Sequence, residues 1–272
     1  MKLSLVLILS FLVSGLKAQE HSLEKIWESD SLAVPESVLH HAKTGILYVS
    51  LIDGKADEKD GKGGIAKLDA NGKIISSDWV KGLNAPKGLG IYKNKLYAAD
   101  IDEVAVIDLA SGKVMQKIPV EGAVFLNDIT VDGKGIVYVS DSGTGIVHRI
   151  ENGKVSTYLT DIKGVNGLLA AKNDLYILSS DKVQKADASK KLTEVTKLDQ
   201  GGDGIEPVGN GDFIVSAWVG YINYVSADGK KQLLLDTHDK NKNTADIGFD
   251  AAKKIVYVPT FLGKSVVAYQ LK

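Results

Sequence analysis

Four oxygen-bearing side chains stand at one repeating position of this chain: Glu36, Asn127, Asn166 and Asp203. Each lies ten to twelve residues before an aromatic that opens a hydrophobic run: Tyr48, Tyr138, Tyr176 and Phe213. Two carboxylates and two amides, with no thiolate or imidazole at the equivalent positions, are hard oxygen donors. Such a set suits calcium best, and magnesium or manganese less well. Two negative charges match a dication. A cation held this way is a Lewis acid that can polarise a bound carbonyl or phosphoryl oxygen. Taken singly, Asp or Asn ahead of a strand more often caps its own turn; it is the common register of the four that points to a shared site.

The same count reaches two further aromatics, Tyr97 and Tyr257, with Lys87 and Asp246 upstream of them. Lys87 and Asp246 are therefore expected at the matching positions of two more repeats, either contacting substrate or pairing with each other across a channel. Trp218 and Phe261 fall in loops expected on the same face and are candidates for an apolar wall.

The elements that must hold these residues are short strands. The six aromatics are spaced 49, 41, 38, 37 and 44 residues apart, a period that fits propeller blades. No long stretch carries apolar residues at helical spacing. One repeat reads through completely. Asn127 to Thr130 leads to the turn Asp132-Gly133-Lys134-Gly135, strands follow over 136–140 and 145–151, Asn152-Gly153 makes a tight turn, and a fourth strand covers 154–160. The expected fold is all-β, a six-bladed β-propeller. Its last repeat has only three strands before the chain ends, and the spare strand at Glu24 to Glu28 is expected to complete that blade and close the ring.

Residues 1–18 read as a secretory signal: Lys2, an apolar run from Leu3 to Val13, and a small-residue exit. The rest, 19–272, reads as one exported domain, periplasmic or secreted, free of the membrane once the signal is cleaved. Cysteine is absent, which excludes a disulfide framework. A net charge of −1, with 25% charged residues of both signs, argues against nucleic acid as a partner, and no protein partner is evident. The charged insertion 52–64 lacks the oxygen spacing of a calcium loop. It reads as a mobile charged loop between the second and third strands of blade one, on the face of the residues that precede each inner strand.

Four motifs carry a family resemblance: Pro35-Glu36-Ser37-Val38, Phe125-Leu126-Asn127-Asp128-Ile129, Val165-Asn166-Gly167-Leu168 and Gly202-Asp203-Gly204. Over nearly the whole mature chain the sequence resembles the senescence-marker-protein, gluconolactonase and luciferin-regenerating-enzyme group of six-bladed propellers. Diisopropylfluorophosphatase and the paraoxonases are more distant relatives. The resemblance implies a divalent metal held by Glu36, Asn166 and Asp203, with Asn127 as a ligand or substrate contact, and Asp203 as general base or as ligand alone. It implies a small-molecule substrate, a lactone or related ester. Two departures stand out. The opening motif continues Ser37-Val38-Leu39-His40 where the family has Gly-Pro-Xaa-Trp, and the family's acid-sugar-binding Arg has no counterpart. The rival reading is a non-catalytic secreted propeller with a structural metal that binds a glycan, peptide or protein.

Overall fold

The computed structural model describes residues 20–272. The expected signal segment 1–18 lies outside the described residues. Twenty-four strands form six separate four-stranded antiparallel sheets, the six expected blades. Blades one to five take consecutive strands, each starting on its inner strand: Pro35–His41, Pro86–Tyr92, Leu126–Val131, Val165–Ala171 and Ile205–Gly209. Among the described residues no helix is long and apolar enough to cross a membrane.

The sixth blade is built from both ends of the chain. Gly248–Asp250, Ile255–Pro259 and Val266–Leu271 supply three strands, and the N-terminal Leu23–Glu28 pairs antiparallel with Val266–Leu271 as the outermost strand. Trp27 on that strand also reaches blade one. Its Nε1 donates to Ala70 O at 3.1 Å. The indole lies over Gly72, where an added Cβ would sit 2.4 Å from the ring. Gly72 has φ +83°, so the Asn71-Gly72 turn needs glycine twice, for its backbone and for the indole.

The core is distributed rather than central. Six buried apolar clusters lie one at each junction between neighbouring blades. Tyr257, Val266 and Ala268 of blade six meet Leu47, Val49 and Leu68 of blade one in the cluster that seals the ring. This explains the strand patterns. A middle strand such as Ile46–Leu51 (ILYVSL) has a blade on each face and is buried almost throughout. An outer strand such as Val114–Pro119 (VMQKIP) is mostly exposed and carries polar residues. The Asn152-Gly153 turn has φ +52° and +77°, the paired left-handed geometry that joins two strands through two residues.

Candidate metal centre on the propeller axis

The inner strands share one irregularity. In blades one to four the pairing between the first and second strands breaks at the same place: Pro35/Val38, Pro86/Leu89, Leu126/Ile129 and Val165/Leu168. Glu36, Lys87, Asn127 and Asn166 each occupy the first position inside this bulge. A bulge frees backbone from the ladder and re-aims side chains. In blade five Asp203 holds the corresponding place just ahead of the strand, its N–H donating to Ser216 O at 2.8 Å.

Serines on the second strands restore what the bulge loses. Ser50 Oγ accepts from Ser37 N, Ser140 Oγ from Asp128 N and Ser216 Oγ from Gly204 N, at 2.8 to 2.9 Å. In each case the donor is the residue after the ring residue. Sequence reasoning passed over these serines, although the repeated Tyr48-Val49-Ser50 and Tyr138-Val139-Ser140 carried the signal.

Blade six departs from the expected register. Gly248 pairs with Tyr257, as Leu39 pairs with Tyr48 in blade one. Counting back three residues, as from Leu39 to Glu36, gives Ala245. Asp246 is therefore one residue past the ring and is the counterpart of Ser37 and Asp128. Its Oδ2 accepts the Ser37 hydroxyl, and the backbones of blades six and one meet there through Asp246 N to Glu36 O at 3.0 Å and Val38 N to Asp246 O at 3.1 Å. The expected pairing of Lys87 with Asp246 is not formed. Lys87 donates to Ala56 O at 2.8 Å and Ala85 O at 3.0 Å, and its ammonium lies 4.2 Å from the Phe125 ring centre.

Asn166 and Asp203 touch. Asn166 Nδ2 donates to Asp203 Oδ1 at 2.6 Å. Asn127 Nδ2 donates to Ser142 Oγ at 3.1 Å, and that hydroxyl spends its own proton on Val165 O at 2.6 Å. Ser142 can then only accept, which fixes the Asn127 amide with its nitrogen toward Ser142 and its oxygen free. Glu36 Oε2 and Asp203 Oδ2 are buried with no hydrogen-bond partner. Orphaned carboxylate oxygens are costly to bury, and a cation is the partner that would satisfy them. Among the described residues no three Asp, Glu, His or Cys side chains cluster as a metal site by themselves. A cation here would therefore depend on the amide oxygens of Asn127 and Asn166 as well as on Glu36 and Asp203. That donor set, all oxygen with two negative charges, fits calcium.

The electrostatics agree. Burial pushes the Glu36 carboxyl well above its ordinary range, and the charges of Asp203 and Asp246 push the same way while Lys87 opposes them. Burial raises Asp203 to about 7, with the Asn166 hydrogen bond opposing. Burial lowers the Lys87 ammonium, and Glu36, Asp100 and Asp57 counter that. Without a cation the ring is a place where carboxylates resist ionising.

Below the ring the inner strands enclose a cavity of about 230 Å³ lined in part by Ser37, Asp128, Glu206 and Asp246. Asp128 ties blade three to blade four, its Oδ2 accepting Leu168 N at 2.6 Å. Glu206 was not foreseen. Its signal was a lone acid in the inner strand Ile205–Gly209.

Above the ring, the 52–64 loop leans onto blade two. Ala56 O takes the Lys87 ammonium, and Lys59 pairs with Asp102 at 2.5 Å. Lys87, held in this way beneath the loop, is only 1% exposed. Trp218 and Phe261 meet edge-on, ring centroids 5.4 Å apart. His40 and His41 stand away from the ring: His40 is buried 3.7 Å from Asp250, and His41 Nδ1 bonds Thr44 Oγ1 at 2.8 Å.

No family model matches the sequence, and no curated protein matches it. Solved structures do match. Luciferin-regenerating enzyme superposes with a TM-score of 0.68 at 15% identity, over 92% of this chain and 95% of that one. A gluconolactonase from Xanthomonas campestris gives 0.66 at 13% identity, over 90% and 88%. A catalytically inactive His-to-Ala variant of virginiamycin B lyase from Staphylococcus aureus, with quinupristin, gives 0.65 at 15% identity, over 92% and 99%. The chain shares their six-bladed fold. At these identities the likeness carries the architecture alone, and chemistry rests on the ring.

Proposed function

We propose that this is an exported, metal-dependent hydrolase of a lactone or related ester, with calcium as the favoured metal. The observation that carries this reading is the pair of buried, partnerless oxygens, Glu36 Oε2 and Asp203 Oδ2, in register with the amides of Asn127 and Asn166. A divalent cation held by Glu36, Asn127, Asn166 and Asp203 would supply Lewis-acid polarisation of the ester carbonyl. Asp203 accepts the proton of the attacking water; its value of about 7 belongs to the metal-free site, and a bound cation would lower it, so the base role falls to whichever carboxylate oxygen the cation leaves free. Asn166 holds Asp203 by the 2.6 Å hydrogen bond. Asn127, oriented by Ser142, presents its amide to the substrate as well as to the metal. Lys87 offsets the Glu36 charge from the second blade, and Trp218 and Phe261 wall the mouth. Asp246 acts below the ring, through Ser37, and braces blade six against blade one.

The fold likeness to a gluconolactonase supports the reading at the level of architecture. The ring has no imidazole, which weighs against a reaction that depends on histidine, as the inactive His-to-Ala lyase variant indicates for that protein. The test is to strip the purified protein with chelator, reload it with calcium and assay a lactone and ester panel. Calcium-dependent turnover that is lost in folded Glu36→Gln and Asp203→Asn is expected. Calcium binding without turnover would mark a binding propeller with a structural metal. Turnover indifferent to chelation would overturn the site.

A further inference from the structure

The face on which the inner strands begin carries a wall of exposed apolar side chains. Trp218 and Val219 follow the strand Asp212–Ala217, and Leu262 lies in the short 3-10 turn Phe261–Gly263. All three are exposed, at 41, 46 and 50%. Trp218 is linked to the ring from two directions. Trp218 lies two residues beyond Ser216, whose carbonyl accepts the Asp203 N–H. Trp218 meets Phe261 edge-on, Phe261 packs in a cluster with Ile52, Ala85 and Ile101, and Ala85 O receives the Lys87 ammonium.

This wall is held still. Asn243 is buried and ties its two halves together, donating to Trp218 O at 3.0 Å and accepting from Leu262 N at 3.3 Å. Thr244 donates to Ala217 O at 2.7 Å. Beside the wall opens a recess of about 500 Å³, which Trp218, Val219 and Leu262 share with the polar side chains of Gln200, His238, Asn241 and Lys242. An aromatic held still beside a concave recess is a common feature of small-molecule subsites. Meanwhile the ring's one cation is already engaged, since Lys87 is held by two carbonyls and the Phe125 face. It keeps no free position for the carboxylate of a polar acid.

We propose that this wall is an acyl subsite, and that the protein acts on a lactone or ester carrying an extended apolar chain in preference to a polyhydroxylated sugar-acid lactone. The inference rests on the hydrolase reading above, and the experiment separates the two. Alkyl-substituted δ-lactams, which mimic the lactone without being turned over, are titrated against calcium-loaded protein by calorimetry and by tryptophan fluorescence. The matching δ-lactones are assayed for hydrolysis. A fully buried methylene strengthens binding about fourfold, and a half-exposed one about twofold, so lengthening the chain by four carbons is expected to tighten lactam binding about fifteenfold. KM for the lactones is expected to fall in step. In Leu262→Ser, an exposed substitution that leaves the fold intact, the chain-length dependence flattens. In Trp218→Phe the fluorescence response disappears while calorimetric binding persists. Affinity independent of chain length, or tighter binding of a polyhydroxylated lactam, overturns the subsite even if lactones are hydrolysed. Chain-dependent lactam binding with no hydrolysis of any lactone or ester upholds the subsite and overturns the hydrolase.

Discussion

Asn166 of blade four donates its side-chain amide to Asp203 Oδ1 of blade five at 2.6 Å, while Asp203 Oδ2 stays buried and unpartnered. One hydrogen bond thus orients the carboxylate across a blade junction and leaves its second oxygen for the axis. Asn166→Ala removes this constraint and one oxygen donor together. Calcium affinity is expected to fall at least about tenfold, equivalent to about 1.4 kcal/mol. Calorimetric calcium titration of the folded variant checks this; unchanged affinity would remove Asn166 from the site.

Stability of the metal-free protein should depend on pH with a definite sign. Burial raises Asp203 and Asp246 to about 7 and raises Glu36 in the same direction. Carboxyls raised in the folded state contribute stability that is present below the unfolded value near pH 4 and lost as pH climbs through about 7. The chelated protein is therefore expected to melt several degrees lower at pH 8 than at pH 5. Calcium should reverse the trend, because it binds the ionised ring. Differential scanning calorimetry at both pH values, with and without calcium, reads both effects. A chelated protein that gains stability from pH 5 to pH 8 would contradict the ring electrostatics.

Ser142 positions Asn127 without standing in the ring itself. Ser142→Ala frees the amide to flip, so its oxygen is no longer held toward the metal position, and calcium affinity and turnover should each drop about tenfold, in the range for lost partners that orient a metal ligand. Thermal stability should fall by only about 1 kcal/mol, the cost of a lost hydrogen bond. Replacement by threonine, which keeps the hydroxyl, is expected to recover most of the rate. Equal losses in both variants would point to packing instead.

Ring closure can be tested at Gly248. A Cβ there would lie 2.3 Å from Val38 O, backbone of the neighbouring blade. Gly248→Ala is expected to cost about 1–3 kcal/mol through overpacking, read as a lower urea midpoint. Trp27→Ala removes the indole from Gly72 and its bond to Ala70 O and should cost about 3 kcal/mol, as for other aromatic truncations. Variants as stable as the parent would show that the blade six to blade one seam does not limit unfolding.

Much of this was legible in the chain itself. The aromatic period set six blades, because each blade must bury its middle strands and turn at similar intervals. The missing fourth strand of the last blade could be found at the N-terminus by counting. Register failed only where strand lengths vary. In blade six the aromatic count chose Asp246, whereas the pairing of Gly248 with Tyr257 places Ala245 in the ring. A one-residue slip of this kind sends a side chain from the ring to the cavity beneath it, since neighbouring residues point to different sides.

What the sequence by itself determined was the all-strand architecture, its closure, and the identity of Glu36, Asn127, Asn166 and Asp203, because repeats of equal length stack equivalent residues around one axis. Only the tertiary structure decided which atoms face that axis. The engagement of Lys87 by Ala56 and Ala85, the locking of Asn127 by Ser142 and the bracing of Trp218 through Asn243 all join residues on different strands or loops. Hydrogen-bond direction and burial arise only when those segments meet, so no spacing along the chain records them.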